Sequence, residues 1–318
     1  MNIRDYLAQG KPLLFDGAMG TWYAAQPGRA EARCELANLH DPQEIAAIHR
    51  AYLEAGCKAV RTNTFDLSGD WETAERIIRA GCSIALDAAR SFGAYVFADL
   101  GPAPQEGPLS PGAYYCRQAE VFLAQGLTCF IAETLPSGEG LSELAQYLKE
   151  RCPQSFLLAS FAVAPDGVTR EGLSGRALFE RTAALDGVDG VGFNCVSGPR
   201  HLLEFIRGLD LSLLDGKPLS VMPNAGYPTV LGRRVAYRGG ADYFAAQLAD
   251  IARSGASIVG GCCGTTPAHT ARAAQALEGL SGKSHSLPAQ PRTRAEVRPG
   301  QNRLRDKLAD IPSRPRLL

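Results

Sequence analysis

The sequence predicts an α/β fold, a closed (β/α)8 barrel of the TIM type. Three observations lead there. Eight short apolar runs rich in β-branched residues alternate with eight amphipathic stretches of helical period. Strands apolar on both faces belong to parallel sheets covered by helices. The chain has 318 residues, more than the ~250 typical of such a barrel. A doubly wound open sheet is the competing arrangement, but no G-x-G-x-x-G follows the first strand, which counts against it.

The elements follow in order. Residues 12–16 form the first strand, which ends in Asp16-Gly17-Ala18-Met19-Gly20-Thr21 and a polar, glycine-rich loop through Gly28. The first helix has Asp41 at its N-cap, Pro42 at N1, Glu44 at the capping-box position and Gly56 as its stop. Its apolar stripe is Ile45, Ile48, Tyr52 and Leu53. The further strands are 59–65, 95–100, 129–133, 156–161, 190–195, 219–224 and 258–261. The helices between and after them are 75–91, 114–125, 140–151, 175–185, 199–209, 241–253 and 267–280. Pro267 occupies a helix-start position in the last. Residues 1–281 are therefore the barrel. Residues 282–318 turn to Ser, Pro, Arg and Gln without apolar periodicity and read as a flexible linker or C-terminal tail, with 302–308 either a short helix or more of a disordered tail.

Composition bounds the function. Lys plus Arg and Asp plus Glu are both 33, so the electrostatic footprint of a nucleic-acid binder is missing. No apolar run approaches the roughly 20 residues of a membrane span. The N-terminus lacks a charged region followed by an apolar one, so it does not read as a signal peptide. Nine cysteines, an odd number mostly inside apolar segments, fit reduced thiols better than a disulfide framework. The expectation is a soluble cytoplasmic protein that binds neither nucleic acid nor membrane.

In this fold the active site is built at the C-terminal ends of the strands. The unusual polar residues fall there: Asp16, Asn63, Thr64, Asp99, Glu133, Cys195, Asn224, Cys262 and Cys263. Adjacent Cys262 and Cys263 cannot easily pair with each other. On a glycine-loosened strand end they are suited to a soft metal, zinc first. A catalytic zinc takes three protein ligands and keeps one position open, and Cys195 is the third. The backbone N–H groups from Gly17 and Ala18 onward can receive a carboxylate, and Glu133 can receive an ammonium group. Together these suggest an amino-acid substrate whose thiol reaches the metal. Plainer readings stand beside these. Asp99 can cap a turn, Asn63 and Thr64 can satisfy loop backbone, and Cys34, Cys57, Cys82, Cys116, Cys129 and Cys152 read as core or incidental. No histidine lies at a strand end, which argues against histidine-based chemistry.

At this point the motifs Phe15-Asp16-Gly17-Ala18-Met19-Gly20-Thr21, Thr62-Asn63-Thr64-Phe65, Glu133-Thr134, Gly192-Phe193-Asn194-Cys195, Met222-Pro223-Asn224-Ala225-Gly226 and Gly260-Gly261-Cys262-Cys263-Gly264-Thr265-Thr266-Pro267 resemble the homocysteine S-methyltransferase family. The resemblance implies a zinc-dependent methyltransferase that makes methionine from L-homocysteine. It implies that Cys195, Cys262 and Cys263 bind Zn2+, with the homocysteine sulfur as fourth ligand. It implies too that Asp16 and Glu133 hold the amino-acid end, and that Asn224 occupies the zinc when substrate is absent. The motifs look more like the homocysteine module of cobalamin-dependent methionine synthase, or of its fusion with methylenetetrahydrofolate reductase, than like S-methylmethionine enzymes. The implied donor is methylcobalamin on a separate corrinoid protein, or a small sulfonium. Alternatives are a betaine-type enzyme, a non-catalytic zinc- or thiol-binding barrel, and zinc-assisted hydrolysis.

Overall fold

The computed structural model describes residues 2–29, 33–104, 106–231 and 234–280. The tail expected from residue 282, 302–308 included, lies outside the described residues. The chain opens with α1 (Ile3–Leu7), β1 (Leu13–Leu14), α2 (Gly20–Ala24), α3 (Ala37–His40) and α4 (Pro42–Glu54). It continues with β2 (Ala59–Arg61), α5 (Trp71–Arg90), β3 (Tyr95–Leu100), α6 (Pro111–Ala124), β4 (Cys129–Leu135), α7 (Leu141–Arg151) and β5 (Phe156–Phe161). It ends with α8 (Gly175–Ala183), β6 (Gly190–Asn194), α9 (Pro199–Arg207), β7 (Leu219–Met222), β8 (Pro228–Leu231), β9 (Arg234–Tyr237), α10 (Ala241–Arg253), β10 (Ala256–Val259) and α11 (Pro267–Glu278).

Eight strands form one parallel sheet in the order β1-β10-β7-β6-β5-β4-β3-β2. A parallel bridge from Phe15 to Ala59, with Asp16 N–H donating to the Ala59 carbonyl at 2.9 Å, joins its two edges. The sheet is the predicted (β/α)8 barrel. No helix among the described residues is long and apolar enough to cross a membrane.

Strand alternation builds the barrel interior. Leu13 and Phe15, Ala59, Phe97, Ile131, Phe156 and Leu158, Met222 and Ile258 form one buried cluster. α1 closes the bottom of this cluster with Ile3. Arg4 on α1 donates to the Gln154 and Ser155 carbonyls and pairs with Asp189 at 2.6 Å. Two residues further along the inward rows the chemistry changes. Arg61 follows Ala59, Asp99 follows Phe97, Glu133 follows Ile131 and Ser160 follows Leu158. A polar layer thus rests on an apolar floor, at the strand ends where barrel enzymes keep their sites. Emptying that floor, as in Phe97→Ala, would cost about 3–5 kcal/mol.

Several local expectations need correcting. The glycine-rich loop after β1 contains a helix, α2. Asp41 sits at the N-cap of α4, but its carboxylate pairs with Arg29 instead of capping backbone N–H groups, so the capping box is not made. α5 starts at Trp71, where Asp70 accepts from the Thr73 N–H. α6 starts at Pro111, where Ser110 accepts from the Ala113 N–H. Both caps lie upstream of the first strongly periodic residue. β2 ends at Arg61, because the Thr64 N–H turns back to the Thr62 carbonyl. After β7 an antiparallel hairpin, β8–β9, replaces the expected loop.

α4 buries Ile45, Ile48, Tyr52 and Leu53 as expected, and His49 with them. Both His49 ring nitrogens lack a hydrogen-bond partner, and burial lowers its pKa to about 4 from 6.5. The folded state therefore holds this imidazole neutral. Below the unfolded pKa the unfolded chain binds the proton that the folded chain refuses, so stability falls as pH drops from ~6.5 toward ~4, by up to about 3 kcal/mol. His49→Leu is expected to gain more thermal stability relative to the wild type at pH 5 than at pH 8. An equal shift at both pH values, read by thermal melts, would contradict this.

Candidate metal centre and substrate cavity

Three thiols meet at the C-terminal mouth of the barrel. Cys195 follows β6 with φ +60°, and Val196 follows with φ +56°. Left-handed conformations are costly for such residues and concentrate at functional sites. The Cys195 N–H donates to the Met222 carbonyl at 3.1 Å, which ties this turn to β7. Cys262 and Cys263 follow β10 through Gly260 and Gly261. A Cβ on Gly260 would stand 2.7 Å from Phe15 Cβ, so only glycine allows the strand to lie so close to β1. The Cys262 N–H donates to the Pro223 carbonyl at 2.9 Å, and Cys263 accepts from the Ala225 N–H at 2.9 Å. Thr265 braces the turn: its hydroxyl donates to the Cys262 carbonyl at 2.7 Å and accepts from the Ala18 N–H at 3.0 Å.

The three sulfurs lie within 4.8 Å of one another, and Cys195 Sγ is 3.7 Å from Cys263 Sγ. A tetrahedral ion with Zn–S bonds of ~2.3 Å places its sulfurs ~3.8 Å apart, so the donor set fits a thiolate-bound zinc. The neighbouring Cys262 thiol pulls Cys195 down, but its contact with Cys263 and its burial push its pKa up to about 12. Cys263 is pulled down by Cys195 and pushed up to about 12 by Cys262 and burial. Neighbouring buried thiols resist sharing negative charge, and a cation removes that resistance.

Tyr237, the last residue of β9, packs on this turn. Burial and the neighbouring Cys263 thiol push its hydroxyl well above the usual tyrosine range. Gly264 has φ +77°, and a Cβ there would collide with the Tyr237 side chain. The hairpin that the sequence did not reveal thus covers the turn that carries two of the sulfurs.

Opposite the thiols stands a carboxylate cluster around one buried cation. Arg61 Nε donates to Asp16 Oδ1 at 2.9 Å, and its backbone N–H donates to Asp16 Oδ2 at 3.0 Å. Arg61 Nη1 donates to Glu133 Oε2 at 2.8 Å, and Nη2 donates to the Gly17 and Gly261 carbonyls, each at 2.9 Å. Burial raises the Asp16 carboxyl to about 6 against the pull of Arg61. Asn194 links this cluster to the thiols. Its Nδ2 donates to Glu133 Oε2 at 3.2 Å and to Thr134 Oγ1 at 2.8 Å, and reaches Cys262 Sγ at 3.9 Å. Ser160 Oγ and the Thr134 N–H donate to Asn194 Oδ1, each at 2.8 Å.

A cavity of about 370 Å³ joins the two groups; Asp16, Gly17, Ala18, Asn63, Thr64, Asp99, Glu133 and the three cysteines line it. The sequence-derived residues do not all offer free groups to it. The Ala18 N–H is already spent on Thr265, so it is not free to receive a carboxylate as expected. Asn63 Nδ2 donates to the Cys34 carbonyl at 2.7 Å and to Asn38 Oδ1 at 2.9 Å, and Thr64 Oγ1 donates to the Asp99 carbonyl at 2.7 Å. These two hold the wall. Cys34, read as core or incidental, belongs to the buried core and also lines the cavity, as does Glu35. Asn224 is buried behind the cysteine turns with its Oδ1 unpartnered. The sequence reading quoted Asn194 and Thr134 in motifs without giving them a role, and gave none to Arg61, Ser160 and Tyr237. The signal for Arg61 was present: a charged residue two positions after Ala59 in an otherwise apolar strand points inward.

Comparison with known proteins places the chain. Residues 13–277 match the homocysteine S-methyltransferase family model. A methionine synthase of Mycobacterium tuberculosis is 33% identical over 321 aligned positions, which cover 91% of this chain and 26% of that protein. One from Mycobacterium leprae is 32% identical, over 87% of this chain and 25% of that protein. The chain thus spans about a quarter of the length of these relatives. The metallated form of the Escherichia coli homocysteine methyltransferase MmuM superposes with a TM-score of 0.67 at 22% identity, covering 86% of this chain and 99% of that one; it shares the fold. The match across nearly the whole barrel means that this chain belongs to the homocysteine S-methyltransferase family, and so to the methyltransferases.

Proposed function

We propose that the barrel binds zinc through Cys195, Cys262 and Cys263 and transfers a methyl group to the sulfur of L-homocysteine, forming methionine. The observation that carries this reading is the three-sulfur cluster at one end of a cavity whose other end is acidic. A bound zinc would lower the pKa of a substrate thiol and keep it a nucleophilic thiolate near neutral pH. Asp16 and Glu133, fixed by Arg61, set the amino-acid end at a constant distance from the sulfurs, which contributes to rate through orientation. In the transfer the sulfur–methyl bond forms, the donor–methyl bond breaks, and the thiol proton leaves to solvent. Asn224, with its unpartnered oxygen behind the cysteine turns, is the side chain for the fourth position in the absence of substrate.

For the donor we favour methylcobalamin on a separate corrinoid protein, since the relatives at 32–33% identity are methionine synthases; a small sulfonium is the second choice. The test is zinc content with methionine formation from homocysteine across methylcobalamin, S-methylmethionine, S-adenosylmethionine, betaine and methyltetrahydrofolate. Methionine from methylcobalamin supports this reading, and methionine from betaine alone would overturn the donor assignment. Zinc-loaded protein inert with all five would favour the storage reading.

Tyr237 is expected to hold Cys263 in its metal-binding position. Tyr237→Phe removes the hydroxyl beside Cys263 and keeps the ring on Gly264. Zinc affinity should fall by about tenfold or more, in line with other outer-shell partners of metal ligands. Competition against a chromophoric chelator reads this directly, and an unchanged affinity would assign Tyr237 to packing alone.

A further inference from the structure

The acidic end of the cavity contains more carboxyl groups than Arg61 pairs with. Asp16 directs both oxygens at Arg61, and Glu133 shares one oxygen between Arg61 and Asn194. Asp99 is different. Its backbone is fixed on both sides: Thr62 Oγ1 accepts from the Asp99 N–H at 3.0 Å, and Thr64 Oγ1 donates to the Asp99 carbonyl at 2.7 Å. Its side chain lines the cavity at 4% exposure, and Oδ1 has no hydrogen-bond partner. A buried carboxyl oxygen without a donor is costly. Here it stands on a rigid strand, on the inward row of β3 directly above Phe97.

We propose that Asp99 is the specificity-determining acceptor for the ammonium group of the amino-acid substrate, with Glu133 beside it. An ammonium carries three donors and no acceptor, which is the complement of an unpartnered carboxylate. An ammonium there would favour the ionised form of Asp99, which burial and the neighbouring Glu133 otherwise disfavour. This assignment divides the labour of the site. Arg61 occupies Asp16 and thereby shapes the cavity, whereas Asp99 selects a substrate with a free amino group. The inference rests on the homocysteine reading above and refines it.

The test pairs a side-chain change with a ligand change. Binding of L-homocysteine and of 4-mercaptobutanoate, the same thiol acid without the amino group, is measured by calorimetry on zinc-loaded wild type, Asp99→Asn and Asp99→Ser. Zinc content and melting temperature serve as controls for folding. Loss of a hydrogen bond to a charged group corresponds to about ten- to a hundredfold in affinity. Homocysteine should therefore weaken by that factor in both variants, while 4-mercaptobutanoate keeps its wild-type affinity. Equal weakening of both ligands, or of neither, would overturn the role of Asp99. Failure of zinc-loaded wild type to bind homocysteine at all would instead overturn the substrate reading on which the inference rests.

Discussion

Cys262→Ala should strip the protein of its metal and its activity together. Structural zinc sites are worth ~10–16 kcal/mol at neutral pH. One of three protein ligands thus represents about 4 kcal/mol, or roughly a thousandfold in affinity. Zinc after gel filtration is expected to fall from about one per chain to near zero, and methionine formation to background. The fold should survive, because Cys262 contributes one small side chain at the rim and the turn is held by backbone contacts from Pro223 and Thr265. Circular dichroism separates the two effects. A variant that retains full zinc and turnover would remove Cys262 from the metal site.

Arg61→Ala should cost stability as well as activity. Arg61 is buried and donates to Asp16, Glu133 and two backbone carbonyls. Its removal leaves two buried carboxylates without their cation, a loss of about 3–5 kcal/mol. For a domain of this size that lowers the melting temperature by roughly 10 °C. The pH dependence has a definite sign. Asp16 already titrates at about 6 with the guanidinium in place, and without it the folded pKa rises further above the unfolded one. A group with a raised folded pKa contributes stability at low pH that is lost as pH climbs through that value. The deficit of the variant should therefore be smaller at pH 5 than at pH 8. A variant that melts with the wild type at pH 8 would show that Arg61 does not neutralise the cluster.

The barrel was legible in the sequence because each strand is apolar on both faces and each helix has a polar side. Strand ends were legible for the same reason, and with them Cys195, Cys262, Cys263, Asp16 and Glu133. What stayed hidden depends on tertiary contacts. Arg61 ends β2, but the sequence pattern runs that strand on to residue 65, so a reading that weighs only strand ends passes over Arg61. Tyr237 reaches Cys263 because the hairpin folds back over the turn at Gly264, and no local pattern marks that return. Asn194 was quoted in a motif, yet its bridging of Glu133, Thr134 and Cys262 follows only from the barrel bringing the ends of β4, β6 and β10 to one mouth. Asp41 shows the converse failure: a correct N-cap position whose side chain is taken by Arg29, a partner distant from the helix start.

The most direct measurement of the central claim is zinc X-ray absorption on the purified protein, before and after L-homocysteine is added. Three sulfurs and one lighter ligand at zinc, changing to four sulfurs with homocysteine, is the expected result. Zinc absent from the protein, or a sulfur count that homocysteine leaves unchanged, would contradict it.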